Sequence, residues 1–191
     1  MGNFIAVYDA CVLYPAPLRD FLMWLALAGT DLFAPRWTEE IHAEWTRNVL
    51  LNRPDLTREQ LTRTKNLMNA YVPNCVVTDY ESLIPSIELP DPGDRHVLAA
   101  AIVSQASVIV TFNLSDFPAQ KLAIYGIQAI HPDEFVLELI DMNPQTICVA
   151  AQNHRQSLKN PPKTPEEYLE TLFQQGLTQT ASAMWEFVGI S

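Results

Sequence analysis

Residues 91–118 read "DPGDRHVLAAAIVSQASVIVTFNLSDFP", and this stretch decides the fold class. Its first part, "DRHVLAAAIVSQA" (94–106), is rich in alanine and opens on an aspartate, the pattern of a helix capped by Asp94. "SVIVTF" (107–112) follows at once. It is a short apolar run with no alternation, which reads as a strand buried on both faces. "NLSDFP" (113–118) is a polar loop that carries another acid, Asp116. A helix feeding a doubly buried strand is the repeating unit of a parallel α/β layer. One acid suffices to cap a helix, so the pair Asp91 and Asp94 raises the question of what the second one does.

The same alternation extends outward. "FIAVYD" (4–9) is a buried strand closed by Asp9, and "PAPLRDFLMWLALAG" (15–29) is a helix with prolines at its start and Gly29 as a stop. "LFAP" (32–35) is a brief strand. Helices are expected over 38–53, with a capping threonine, early acids and late arginines, and over 57–71, with Pro54 between them. "CVVT" (75–78) and "IQAI" (127–130) complete the expected strands, and "HPDEFVLELI" (131–140) starts a helix with Pro132 at its first position. The expectation is an α/β, three-layer fold: a central, mainly parallel sheet flanked by helices.

After about residue 142 the strands stop. "PQTICVAAQNHRQSLKN" and "TPEEYLETLFQQGLTQTASAMWEFV" both have helical period, joined by the proline-rich "NPPKTP" (160–165). Two units are expected, residues 1–141 and a C-terminal helical appendage over 142–191. The apolar residues of the appendage (Tyr168, Leu169, Leu172, Phe173, Leu177, Trp185, Phe187 and Val188) must pack on the main domain or on a partner.

Composition narrows the function. Hydrophobic residues make up 48% of the 191, enough for a real core. The net charge of -10 argues against simple electrostatic binding of a polyanion. However, half of the twelve Lys and Arg residues lie between positions 36 and 65 (Arg36, Arg47, Arg53, Arg58, Arg63, Lys65), where five acids accompany them. The three cysteines are scattered in apolar stretches, as free thiols in a reducing cytoplasm would be. No apolar run reaches the ~20 residues of a membrane span, and "MGNFIAVYDA" lacks the basic leader and apolar segment of a secretory signal. The four histidines show no ligand spacing, and no phosphate-cradling glycine motif or nucleophile elbow is present. Trp37 and Trp45 are most simply core residues.

The acids carry the chemistry. Ligands of open α/β sheets bind beyond the carboxyl ends of the strands. Asp9 ends the first strand, Asp116 lies just past the "VIVTF" strand, and Asp94 opens the helix leading into it. Glu44 projects from the 38–53 helix, with Glu40 competing one turn earlier on the same face. Two carboxylates ~4 Å apart repel by ~4 kcal/mol at an effective dielectric near 20. A converging set must therefore take up protons or a cation, and oxygen ligands suit Mg²⁺ or Mn²⁺. Such an ion supports phosphodiester hydrolysis without a protein nucleophile. Duller roles exist: cap for Asp94, turn for Asp91 and Asp116, solvated acid for Glu44. Asp9 fits them least, because an acid closing an apolar strand is costly to bury unpaired. Two other readings stand beside the nuclease. A phosphatase of the haloacid dehalogenase type wants a second aspartate where Cys11 stands. A non-catalytic interaction module would use a degenerate pocket and the helical tail.

"VYDACVLYPA", "EEIHAEWTRNVL", "DPGDRHVLAAAI" and "VTFNLSDFP" resemble, in order, the motifs of PIN-domain ribonucleases, nearest to VapC-type toxins of bacterial type II toxin-antitoxin systems with a helical C-terminal extension. The resemblance covers roughly residues 3–135. It implies a PIN fold and a Mg²⁺- or Mn²⁺-dependent endoribonuclease that inhibits translation. Carried over by position, the catalytic acids are Asp9, Glu44, Asp94 and Asp116, with Asp9, Asp94 and Asp116 on the metal. Asn113 and Thr111 support the pocket, Asp91 is a further supporting acid or part of the tight "DPGD" turn, Arg95 pairs with a pocket carboxylate or a phosphate or points to solvent, and Arg36, Arg47 and Arg53 are candidate substrate contacts. The implied partners are an RNA substrate such as transfer RNA, a cognate antitoxin and a second copy in a homodimer, with no membrane. The length departs from compact members, which would end near residue 140.

Overall fold

The computed structural model describes residues 4–188, the side chains of 187 and 188 excepted. Four short strands, β1 (Phe4–Tyr8), β2 (Phe33–Arg36), β3 (Val108–Val110) and β4 (Gln128–Ile130), form one sheet in the order β2-β1-β3-β4. Every pairing is parallel, with Ala6 opposite both Pro35 and Val108. The chain leaves β1 to build β2 on one side and returns to build β3 on the other. The topological switch point, where such sheets bind ligands, therefore lies between the carboxyl ends of β1 and β3.

Around the sheet run α1 (Ala10–Leu13), α2 (Ala16–Ala28), α3 (Glu39–Asn52), α4 (Arg58–Tyr71), α5 (Arg95–Val103), α6 (Ala119–Leu122) and α7 (Pro132–Met142). Local chemistry explains their starts. Thr38 accepts from the Ile41 amide, and Thr57 with Gln60 forms a reciprocal capping box. In α5, Ala99, Ala100 and Ala101 are fully buried, small enough for the helix to lie close on β1 and β3. α7 covers the sheet through Phe135, which meets Phe33 edge-on at 5.3 Å and Tyr8 at 6.0 Å. Trp37 and Trp45 are fully buried, and their indole N–H groups donate to Asn69 Oδ1 and His42 Nδ1.

The segment 75–78, expected as a strand, makes only an isolated bridge between Val76 and Trp37 beyond the β2 edge. Its neighbour Trp37 lies at the end of β2, so there is no length of strand left for a ladder.

The C-terminal helices are α8 (Pro144–Ser157), α9 (Pro165–Gln174) and α10 (Thr178–Val188). The last expected helical stretch is thus two helices, broken at Gly176 with φ +85°, a conformation that glycine adopts without strain. α8 packs along α2. There the buried His154 stacks on Phe21 and Trp24, and its Nδ1 meets the Tyr168 hydroxyl at 2.9 Å. Tyr168, Leu169, Leu172 and Leu177 are buried as expected. Phe173 and Trp185 do not pack on the main domain: they are 51% and 53% exposed and share a groove between α9 and α10. The Phe187 and Val188 side chains lie outside the described residues. Among the described residues, no helix is long and apolar enough to cross a membrane.

Candidate active site

Asp9 follows β1 at the switch point, and its amide donates to Val110 O, tying the β1 end to β3. Its carboxylate is 3% exposed and fixed by three donors. Oδ1 accepts from the Ala10 amide at 2.6 Å. Oδ2 accepts from the Thr111 hydroxyl at 2.7 Å and the Cys11 thiol at 3.1 Å. Burial raises the pKa of Asp9, the bonds from Thr111 and Cys11 counter it, and the charge of Glu44 adds to the rise; the net shift is upward. Cys11 joins the two strand ends as well, since its sulfur accepts from the Phe112 amide at 3.3 Å. Burial, then the Asp9 charge, pushes this thiol up to about 12, so it stays protonated. Thr111 Oγ1 also receives the Asn113 amide at 2.9 Å; Asn113 supports the corner through its backbone.

Asp91, not Asp94, makes the local cap: its Oδ1 accepts from the Gly93 amide at 2.7 Å and starts a 3₁₀ turn, Pro92–Asp94. Asp94 makes no side-chain cap bond to α5, contrary to the cap expected from sequence. The turn has taken over the start of the helix, which frees the Asp94 carboxylate. Burial comes first, followed by the charges of Asp9, Asp91, Asp116 and Glu44, and together these push Asp94 up to about 7. Asp116 closes a second 3₁₀ turn, Leu114–Asp116, and its charge reaches Asp94. Of the two candidate glutamates on α3, Glu40 and Glu44, Glu44 is the one that raises both Asp9 and Asp94. Glu40 accepts from the Tyr80 hydroxyl at 3.2 Å.

The donor set is therefore all oxygen, half-sheltered and mutually repelling, which suits a hard divalent cation. As the side chains lie, no group of three His, Cys, Asp or Glu among the described residues is close enough to hold a metal ion. The acids are within electrostatic reach of one another and beyond joint ligand distance.

The supporting and basic residues separate. Arg95 lies beside Glu88 in charge, with its buried Nε unpartnered. Arg36 donates to Pro35 O, and Arg53 makes a two-bond pair with Asp55 at 2.8 and 2.6 Å. Arg47 is exposed in a cleft of about 560 Å³ between α3 and α4, with Arg58 and Lys65. Two residues near the acids carry more than their sequence context suggested. Cys11 read as a buried thiol, and the only signal was its place two residues after Asp9. His96 is one of the four histidines without ligand spacing, yet it sits 3.5 Å from Glu44 and 3.8 Å from Glu40. Burial lowers its pKa, but these glutamates outweigh that and raise it.

Comparison with known proteins places this geometry in a class. A family model described as PIN domain matches residues 6–115, and the chain belongs to the PIN-domain family. A model described as VapC50 C-terminal domain matches residues 132–185, so the chain joins the two, consistent with the VapC-type motifs. The Mycobacterium tuberculosis (strain ATCC 25618 / H37Rv) protein named "Putative ribonuclease VapC50" is 42% identical over 82 residues, 43% of this chain and 48% of that protein. The chain spans about half the length of that curated relative. Among solved structures, the crystal structure of VapBC2 from Rickettsia felis bound to a DNA fragment from their promoter matches with a TM-score of 0.44 and 16% identity. That match covers 66% of this chain and 98% of the other.

Proposed function

We propose that the protein is a divalent-cation-dependent endoribonuclease, the toxin of a toxin-antitoxin pair that inhibits translation by cutting RNA. The observation that carries this reading is Asp94, a carboxylate released from capping and raised to about 7 among Asp9, Asp91, Asp116 and Glu44. The name of the VapC50 relative agrees with ribonuclease chemistry. Asp9, Asp94 and Asp116 would hold the ion, Mg²⁺ or Mn²⁺, which when bound lowers the pKa of a water and neutralises charge on a phosphodiester.

The residues of the chain have separate tasks. Asp9 is oriented by the Ala10 amide, Thr111 and Cys11, so its carboxylate cannot rotate away from the pocket. Asp94, which makes no cap bond, has its carboxylate available to an ion. Glu44 faces both from α3. Arg47 and Arg58 in the α3–α4 cleft offer cations to a phosphate backbone, while Lys65 there is paired with Glu39 at 2.7 Å. An antitoxin that covers the acids is the partner implied by the motif resemblance.

The test is RNA cleavage by purified protein with and without Mn²⁺ or Mg²⁺, read by sequencing of RNA ends. Wild type is expected to cut only with the ion, and Asp9→Asn to lose the cut. Full cleavage by Asp9→Asn would place the chemistry elsewhere. A second reading, a non-catalytic interaction module, is favoured by one observation: no three of the described side chains stand at joint ligand distance. Absence of any Mn²⁺ effect on thermal stability would support it.

A further inference from the structure

We propose that His96 is a positioning residue of the acidic site, a buried post between α5 and α3 that holds Glu44 facing Asp9 and Asp94. This rests on the nuclease reading given above.

His96 stands in the first turn of α5, two residues after Asp94, and is 5% exposed. Glu40 and Glu44 are one helical turn apart on α3, so they present side by side to α5. A single imidazole meets both, with Nε2 3.5 Å from Glu44 Oε2 and Nδ1 3.8 Å from Glu40 Oε2. Like charges at this spacing repel, and the ring separates them.

The two contacts differ in what lies behind them. Glu40 is braced from the far side by the Tyr80 hydroxyl at 3.2 Å. Glu44 meets His96, and its side chain is 33% exposed. Without that contact, rotation into water would carry Glu44 away from Asp9 and Asp94. His96 Nδ1 is fully buried with no hydrogen-bond partner. A ring kept in the core for packing alone would be better replaced by an apolar side chain of the same size, because an unpaired buried nitrogen is costly. The polar ring is explained by its edge, which reaches across the helix interface to the α3 acids.

The experiment is steady-state RNA cleavage by His96→Leu, His96→Asn and His96→Gln, beside Glu40→Gln. Glutamine extends an amide N–H to roughly the place of Nε2 and should recover most of kcat; asparagine reaches only the Nδ1 side and should not. Expected are losses of about 10-fold to 100-fold in kcat for leucine and asparagine, with KM for RNA within about twofold. Glu40→Gln should cost about threefold or less. Full kcat in a folded His96→Leu, or equal loss in asparagine and glutamine variants tracking their Tm, overturns the proposal. A urea-unfolding cycle over His96→Leu, Glu44→Gln and the double variant reads the contact without RNA. Non-additive midpoints are expected, and additive ones overturn the proposal. If wild type cuts no RNA, the nuclease reading fails, and the cycle still separates that failure from absence of the His96–Glu44 contact.

Discussion

Two buried aspartates, each just past the end of a strand, behave in opposite ways. Asp9 follows β1 and is 3% exposed; Asp133 follows β4 in the first turn of α7 and is 4% exposed. Each accepts three hydrogen bonds. Those of Asp133 come from the Thr178 hydroxyl and the Gln179 and Thr180 amides, so the carboxylate caps α10 from 45 residues and more away. Burial raises Asp133, but the backbone and hydroxyl donors outweigh it and hold its pKa below the usual carboxylate value. In Asp9 burial prevails, and Glu44 adds to it. Burial and strand position are shared. What separates the two is the number of helix-start amides, two at Asp133 and one at Asp9, and the Glu44 charge that acts on Asp9.

The sharpest way to break this comparison is to neutralise both acids. Asp9→Asn should reduce RNA cleavage about 10³-fold or more, with little change in the urea midpoint. Asp133→Ala should leave kcat near wild type and reduce stability by about 2 kcal/mol, because two amides, that of Thr180 buried, lose their acceptor. Equal destabilisation by the two variants would make them the same kind of residue.

Acid sensitivity gives a third test. His154 titrates near 6.5 when unfolded and at about 4 when folded, because burial disfavours its charged form. The unfolded chain therefore takes the proton first as pH falls. The stability associated with the neutral ring is complete above about 6.5 and declines towards pH 4, by roughly 2 kcal/mol. Urea unfolding across that window should show the slope in wild type and a flatter one in His154→Gln. The smallest effect expected is a gain of about 1.4 kcal/mol at Mn²⁺ tenfold above its Kd. Asp94→Asn should reduce this gain and Asp133→Ala should leave it intact, as differential scanning calorimetry can check.

The sheet was legible because its strands are unbroken apolar runs and its helices carry their own caps. β1, β3 and β4 each lie inside an expected segment; Asp9 directly follows β1, and Asp116 lies in the loop beyond β3. Where reading failed, a distant or competing contact decided. Asp94 looked like a cap because the "DPGD" turn and a helix start share one composition; the turn formed and Asp91 capped it. Residues 75–78 have strand composition but only the end of β2 to pair with. His96 depends on α3, more than fifty residues earlier in the chain, which periodicity within one helix does not reveal.

The Asp133 cap also bears on how the molecule is made. A nascent chain that has emerged as far as α7 has every strand and every candidate acid, but Asp133 still waits for amides at 179 and 180, and α2 for its cover from α8. Synthesis must therefore pass α8 before α2 is covered and reach Thr180 before Asp133 has its donors, whereas the partners of Asp9 are all made by Thr111.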